Sequence, residues 1–267
     1  MTNGEPHERV ILHIQPLDCT DKDGDHCAET ARHLKALGLS IHGLGYDMAL
    51  DTPTVEQLQI DGILPITKVR RDRNGSPAHR LIAQQEFQLA DHATRTIDVH
   101  AIDGTPYILG MVDGTELLFR LDRIKFERRR GCAFTVYRVP DQPGLSATLR
   151  GATVRIRTTS TQAEISRRER RGRALRPLSQ ADPAFRDLYG PREGVESTNS
   201  HWKSRLPGRR QRTIGRTAQR CNANGYQLAQ NLTAALAWHL RTGGDLSCIW
   251  RNGIPPGILP DPVGLAA

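Results

Sequence analysis

The chain has 267 residues, of which 25% are charged, and a formal net charge of +8. It contains no long uncharged apolar run, so we expect no membrane-spanning helix. Its five cysteines are scattered and odd in number, which favours reduced thiols over a disulfide framework. Because no signal-peptide pattern follows Met1, these features together predict a soluble, cytoplasmic protein.

The first quarter of the chain alternates between strand-like and helix-like patterns. Asp25 would cap the first helix and Gly38 would end it. This alternating order implies right-handed crossovers and a parallel sheet. The predicted elements are a strand over residues 10–15 (VILHIQ), a helix over 26–37, a strand over 40–46, a helix beginning at Thr52 and Pro53, and a strand over 62–69.

Residues 80–159 have a different sequence pattern, in which short runs of alternating apolar and polar residues are separated by turns. Turn dipeptides fall at Asp103-Gly104 and Asp113-Gly114, and the clearest strands are YILGMV, ELLFRL, AFTVYRV and ATVRIR. This pattern predicts an antiparallel β insertion. Helical patterns return after Thr161, and the last helix is expected over residues 226–240. The predicted divisions are 8–70, 71–160 for the insertion, 161–243, and a disordered tail over 244–267.

The positive charge is concentrated in one part of the chain. Residues 161–220 contain 15 lysines and arginines against 6 aspartates and glutamates, whereas the rest is close to neutral. A localised surplus of this kind suggests a polyanionic partner, most simply nucleic acid. An arginine-rich surface that is merely solvated explains the surplus equally well.

Two stretches contain the candidate chemistry. Arg192, Glu196, Asn199 and Lys203 follow one another at steps of four, three and four, so a helix that begins at Pro191 would present them on one face. They could also be no more than helical charge partners. Asp47 follows the second predicted strand, at the carboxyl edge of a parallel sheet where ligands bind. It could equally be a helix cap or a turn residue.

The spacing of Tyr189, Arg192, Glu196 and Lys203 is similar to the Y-R-E-K box of bacterial insertion-sequence transposases. These are DDE enzymes with an RNase H-like catalytic domain, and many of them carry a β insertion before the glutamate helix. The segment YDMAL, which contains Asp47, resembles the surroundings of their second catalytic aspartate, although Leu50 departs from the pattern. The resemblance covers residues 10 to about 240 and implies an α/β fold with a partial RNase H-like core.

The resemblance also implies roles for individual residues. Asp47 and Glu196 would be the catalytic ligands of Mg²⁺ or Mn²⁺, and Arg192 would contact DNA phosphates. Tyr189 would lie beside the phosphate backbone. The remaining phosphate contacts would come from Lys203, Arg205, Arg209 and Arg210.

The first of the three family carboxylates has no counterpart in the sequence. It belongs on an early strand, and Asp18, Asp21, Asp23 and Asp25 all follow the strand VILHIQ, which is the wrong place. We therefore expect a truncated transposase with weak or no catalysis of its own, located at the bacterial nucleoid. The alternatives are an inactive fragment that binds double-stranded DNA as a homodimer or pairs with a full-length transposase, and an unrelated α/β nuclease or RNA-binding protein.

Overall fold

The computed structural model describes residues 10–12, 23–47, 50–71, 74–192, 200, 202–204 and 215–243. The chain divides into a larger unit, Cys19–Glu193, and a smaller unit, Met1–Asp18 with Gly194–Ala267. The described part is a mixed α/β fold with a curled antiparallel sheet, which confirms the α/β class and the antiparallel segment. The predicted disordered tail, residues 244–267, lies outside the described residues.

The larger unit begins with two helices and two short parallel strands. These elements are α1 (Asp23–Ala36), β1 (Gly43–Gly45), α2 (Thr52–Ile60) and β2 (Leu64–Ile66). Strands β1 and β2 pair in parallel, with Gly43 opposite Leu64 and Gly45 opposite Ile66. A small apolar core between the helices contains Val55, Leu58 and Ile63, all fully buried. The predicted parallel arrangement of these two strands is therefore confirmed.

The ends of the two helices are set by their polar residues. Asp51 caps α2, because its side chain accepts a hydrogen bond from the backbone N–H of Thr54 at 2.8 Å. The predicted cap of α1 is wrong: the helix begins at Asp23, so Asp25 lies inside it. The carboxylate of Asp25 instead accepts a hydrogen bond from the Thr54 hydroxyl at 2.6 Å and so joins α1 to α2. Gly38 has φ +90° just after α1, as expected for a helix stop.

The seven following strands form one antiparallel sheet in the order β6-β5-β4-β3-β9-β8-β7. Since β6 and β7 stand at opposite edges but only Leu121 separates them in the chain, the sheet must curl upon itself. Its interior is apolar, and Phe87, Val99, Ile108 and Ile156 are fully buried there. The strands are β3 (His79–Gln88), β4 (Thr94–Ile102), β5 (Thr105–Val112), β6 (Thr115–Arg120), β7 (Asp122–Arg129), β8 (Cys132–Arg138) and β9 (Thr153–Arg157).

Both predicted turn dipeptides join neighbouring strands of this sheet. Asp103 and Asp113 have φ of 46° and 49°, and the glycines that follow them have φ of 90° and 78°. Two successive residues with positive φ are the signature of the tight turn whose twist suits antiparallel hairpins. Aspartate and glycine tolerate this backbone better than most residues do, which is why the dipeptides predict the turns correctly.

Short helices follow the sheet. They are α3 (Gln162–Ser166) and α4 (Pro183–Tyr189), with single 3-10 turns at Arg171–Arg173 and Gly190–Arg192. Asp182 caps α4 by accepting a hydrogen bond from the N–H of Ala184 at 2.9 Å. The prediction that an α-helix begins at Pro191 is wrong, because Pro191 lies within a 3-10 turn that extends α4.

The described part of the smaller unit includes a long helix, Arg216–Thr242, which begins ten residues earlier than predicted. Gly243 adopts a left-handed conformation and ends it, as expected. Residues 10–12 form no strand, which corrects part of the first predicted strand; residues 13–15 lie outside the described residues. Instead, the backbone of Ile11 exchanges hydrogen bonds with the helix side chains of Gln227 and Asn231, at 2.7 to 2.9 Å. No helix within the described ranges is long and apolar enough to cross a membrane.

Candidate functional site

The carboxyl ends of β1 and β2 lie side by side and bring Asp47 next to the residues that follow β2. The N–H of Tyr46 donates to the carbonyl of Ile66 at 3.2 Å. The hydroxyl of Thr67 donates to the carbonyl of Asp47 at 2.6 Å. Asp47 is exposed, and Asp51 rather than Asp47 is the cap of α2. The carboxylate of Asp47 is therefore presented at the edge where parallel sheets bind ligands.

Tyr189 lies at the same edge, as the last residue of α4. Its ring stacks on Phe185 with 4.9 Å between ring centroids, and it packs against the cluster that contains Ile66 of β2. The ammonium of Lys68 and the guanidinium of Arg192 each lie 5.4 Å from the centroid of the Tyr189 ring. Both are within the range at which a cation is attracted to an aromatic face.

Lys68, Tyr189 and Arg192 thus form a compact group, here called the edge cluster, beside Asp47. The motif predicted Tyr189 and Arg192, but Lys68 was missed. Its position held a signal that could have found it: Lys68 follows β2 as Asp47 follows β1, two residues after the last strand residue. An anion that meets two cations and an aromatic hydroxyl gains charge-assisted hydrogen bonds, so the edge cluster is suited to a phosphate group.

The other predicted site residues are divided by what the structure describes. Glu196, Arg205, Arg209 and Arg210, together with Ala49 of the YDMAL segment, lie outside the described residues. Lys203 is described and exposed, within the smaller unit. The common helix face of Arg192, Glu196, Asn199 and Lys203 therefore stays a prediction.

The described residues contribute one candidate ligand for the expected metal. The carboxylate of Asp47 is the hard oxygen donor that Mg²⁺ or Mn²⁺ prefers. The other predicted ligand, Glu196, is outside the described part of the chain. Over the ranges that are described, no group of three or more His, Cys, Asp or Glu side chains is close enough to hold a metal ion.

Part of the basic surplus serves the fold. Arg170 donates to Glu56 at 3.1 Å, and Arg171 donates to Glu164 at 2.9 Å. Glu56 is buried and also accepts hydrogen bonds from the Ser160 hydroxyl at 2.5 Å and the N–H of Gly172 at 3.2 Å. These arginines connect α2 and α3 to the segment around the 3-10 turn Arg171–Arg173, so they support the structural explanation of the charge for that segment.

Arg176 is a buried cation that contacts no carboxylate among the described residues. Its guanidinium donates to the carbonyls of Gly172 and Leu175, while its Nε has no hydrogen-bond partner. Burial lowers the pKa of Arg176 to about 10, and the negative charge of Glu56 opposes that shift. The side chain therefore stays charged at neutral pH and adds a positive charge beneath the surface around Lys68, whose carbonyl lies 3.5 Å from one of its nitrogens.

No family model, no curated protein and no solved structure matches this chain. The functional interpretation therefore depends on the residues themselves and on the geometry of the larger unit. Asp47 and Tyr189 are distant in sequence, and each contacts the segment that follows β2, through Thr67 and Lys68 respectively.

Proposed function

We propose that this chain is a DDE-type DNA transposase, or an inactive relic of one, built on a partial RNase H-like core. It acts on double-stranded DNA at transposon ends in the bacterial nucleoid, by metal-dependent phosphodiester hydrolysis and strand transfer. The reaction is proposed from the Y-R-E-K spacing at Tyr189, Arg192, Glu196 and Lys203. The proposed place of the reaction is the sheet edge where Asp47 lies, two residues after β1.

The single observation that carries the proposal is the edge cluster. Tyr189 and Arg192 belong to one motif and Asp47 to another, more than 140 residues earlier in the sequence. The two consecutive residues Thr67 and Lys68 contact one motif each: the Thr67 hydroxyl donates a hydrogen bond to the Asp47 carbonyl, and Lys68 lies over the Tyr189 ring. A motif that matched by chance would have no reason to converge on the second motif.

In this proposal Asp47 and Glu196 hold Mg²⁺ or Mn²⁺, which when bound would activate a water or a 3′-hydroxyl. The chain's own cations do the rest of the positioning. Arg192 and Lys68 bind the phosphate next to the cleaved bond, and Tyr189 keeps their charged ends at the edge. Lys203, Arg205, Arg209 and Arg210 contact the duplex backbone without reading bases.

The test is cleavage of supercoiled plasmid DNA by the purified chain in the presence of Mg²⁺ or Mn²⁺. Asp47→Asn should abolish nicking, because it removes a metal ligand from an exposed position and leaves the fold intact. Asp113→Asn is the matched control, since Asn fits the positive φ of that hairpin turn and the residue is remote in sequence from both motifs. Nicking that survives Asp47→Asn would overturn the catalytic role of Asp47.

The edge cluster also favours a second candidate, a DNA-binding fragment without catalysis that pairs with itself or with a full-length transposase. Lys68, Tyr189 and Arg192 bind an anion without needing a metal. Lys68→Gln should then weaken duplex DNA binding by about 3- to 10-fold and lower the salt slope by about one, whereas Asp47→Asn should leave binding intact. Binding that is lost equally in both variants would contradict this candidate.

A further inference from the structure

An arginine-lined cleft opens beside the edge cluster in the larger unit. It has a volume of about 640 Å³, and its walls are formed by the start of α2, the segment after β2, and the segment around the 3-10 turn Arg171–Arg173. The cleft continues the same sheet edge, because Leu50 lies three residues after Asp47 and Arg70 lies two residues after Lys68. Among the described residues, five arginines line it, namely Arg70, Arg71, Arg170, Arg173 and Arg176, and Asp51 contributes the one carboxylate.

These arginines differ in whether their charge is already paired with a carboxylate. Arg71 is paired with Asp103 at 2.7 Å, and Arg170 with Glu56 at 3.1 Å. Arg70 and Arg173 are exposed, and neither forms an ion pair with any carboxylate among the described residues. The cleft therefore presents two guanidinium groups whose hydrogen-bonding capacity is available to a ligand.

Arg176 forms part of the cleft wall and increases its positive potential. The side chain is buried, and its three nearest acceptors are uncharged backbone carbonyls rather than carboxylates. A cation that is surrounded by protein and not by water is poorly screened, so its field reaches further into the cleft. An anion in the cleft would offset the cost of burying this charge.

The other residues that line the cleft limit the kinds of ligand that it can bind. No aromatic ring occurs among the described residues that line the cleft, so it offers no surface on which a base could stack. Asp51 already caps α2 and occupies its N-terminal donor. Recognition must therefore come from guanidinium groups, whose forked donors fit phosphate oxygens.

We infer that this cleft binds the sugar–phosphate backbone of a single nucleic-acid strand alongside the Asp47 edge. A cleft of this volume is in the size class of small-ligand pockets and admits one strand, whereas specific duplex interfaces cover far larger surfaces. The inference rests on the proposed function in taking nucleic acid as the ligand, but it does not require Asp47 to be catalytic. The strand is held by its phosphates without sequence preference.

The experiment measures the binding of the full chain to a fluorescent single strand of about twelve thymidines at several salt concentrations. The test variant is Arg70→Gln with Arg173→Gln, two exposed side chains whose removal breaks no ion pair in the described structure. The control is Arg95→Gln with Arg138→Gln, two exposed arginines of the antiparallel sheet that do not line the cleft and that change the net charge equally. Thermal melting checks that both variants fold.

The test variant should bind the strand about 10-fold more weakly or worse, with a salt slope reduced by about one to one and a half, and the control should change by less than about 2-fold. Equal weakening in both variants overturns the cleft while leaving the proposed function standing. Inorganic tripolyphosphate that competes as well as the strand at equal phosphate concentration also overturns it, since the cleft would then be a site for free polyphosphate. A wild-type chain that binds the strand but does not nick plasmid removes catalysis from the proposed function and leaves the cleft standing.

Discussion

The interior of the curled sheet and the polar seam that joins it to α2 are built from opposite kinds of side chain. The interior is a set of apolar residues such as Phe87, Val99 and Ile156, all fully buried. The seam, here the buried contacts of Glu56 and Gln59 with residues 158–172, is held by hydrogen bonds, including Thr158 to Gln59 at 2.5 Å. Apolar burial is non-directional, whereas each seam residue depends on particular hydrogen-bond partners.

The arginines near the seam also fall into two groups, according to whether a carboxylate neutralises them. Arg170 and Arg171 belong to the seam and its margin, where carboxylates neutralise them. Arg70 and Arg173 are their near neighbours in the cleft and have no such partner among the described residues. A count of charges treats all four alike. The structure separates arginines that fix the fold from arginines that are available to a ligand, and the three predictions below test that separation from the fold side.

The largest effect is expected in the sheet interior. Phe87 lies on β3, the central strand, between β4 and β9, and is fully buried. Phe87→Ala should lower the free energy of unfolding by about 3–5 kcal/mol, because it removes a large buried side chain and leaves a cavity. Urea denaturation followed by circular dichroism measures it. Leu117→Ala on the edge strand β6, where the side chain is 45% exposed, should cost less than about 1 kcal/mol.

An equal loss in the two apolar variants would mean that the curled interior is not the main source of stability. The stability of the fold would then not depend on the apolar interior in the way that distinguishes it from the seam.

A smaller loss is expected in the seam. Glu56→Ala removes the acceptor shared by Ser160, Arg170 and Gly172, and it leaves the Ser160 hydroxyl and the Gly172 N–H buried without that partner. We expect a loss of about 3 kcal/mol. Ser160→Ala should cost about 1–2 kcal/mol, since it removes the hydrogen bond that the hydroxyl donates to Glu56 and the one that it accepts from the N–H of Arg171. The same denaturation measurement compares them. A cost for Glu56→Ala no greater than that for Ser160→Ala would show that the seam does not act as a unit.

The sequence predicted most of the sheet because its signals are local. Alternation marked the strands, and the aspartate-glycine pairs at 103 and 113 marked two of its turns with the correct backbone. The curl could not be predicted in this way. It follows from which strands become neighbours, and β3 pairs with β9 across some 65 residues of sequence, a contact that no local pattern encodes.

For the candidate site, too, only the residues marked by a local sequence pattern were predicted. Tyr189, Arg192 and Asp47 were predicted from spacing and from the position of a strand. Lys68 and the cleft arginines were not, because they matter only once β1 and β2 pair and the segment 170–176 folds against them. The cap assigned to Asp25 was wrong for a related reason: the local pattern allowed a cap, but the tertiary contact with Thr54 gave that carboxylate a different partner.

The smallest effect is expected at the margin of the seam, where Glu164 accepts from Arg171 and Arg80. Burial alone would raise the pKa of Glu164. Hydrogen bonds from Thr161 and the charge of Arg171 outweigh it and hold the pKa below its usual value of 4.5. A carboxylate whose pKa is lower in the folded than in the unfolded chain stabilises the fold above pH 4.5, and this contribution disappears as the pH falls through the folded value.

Glu164→Gln should therefore cost about 1 kcal/mol at pH 7, and the difference from the wild-type chain should shrink as the pH is lowered below 4.5. Gln keeps the capping arrangement with Thr161, so the substitution isolates the ion pairs from the cap of α3. Urea denaturation of both chains between about pH 3 and pH 7 measures the difference. A difference that stays constant over that range would mean that Glu164 does not neutralise Arg80 and Arg171, and the division between paired and available arginines would then fail at this site.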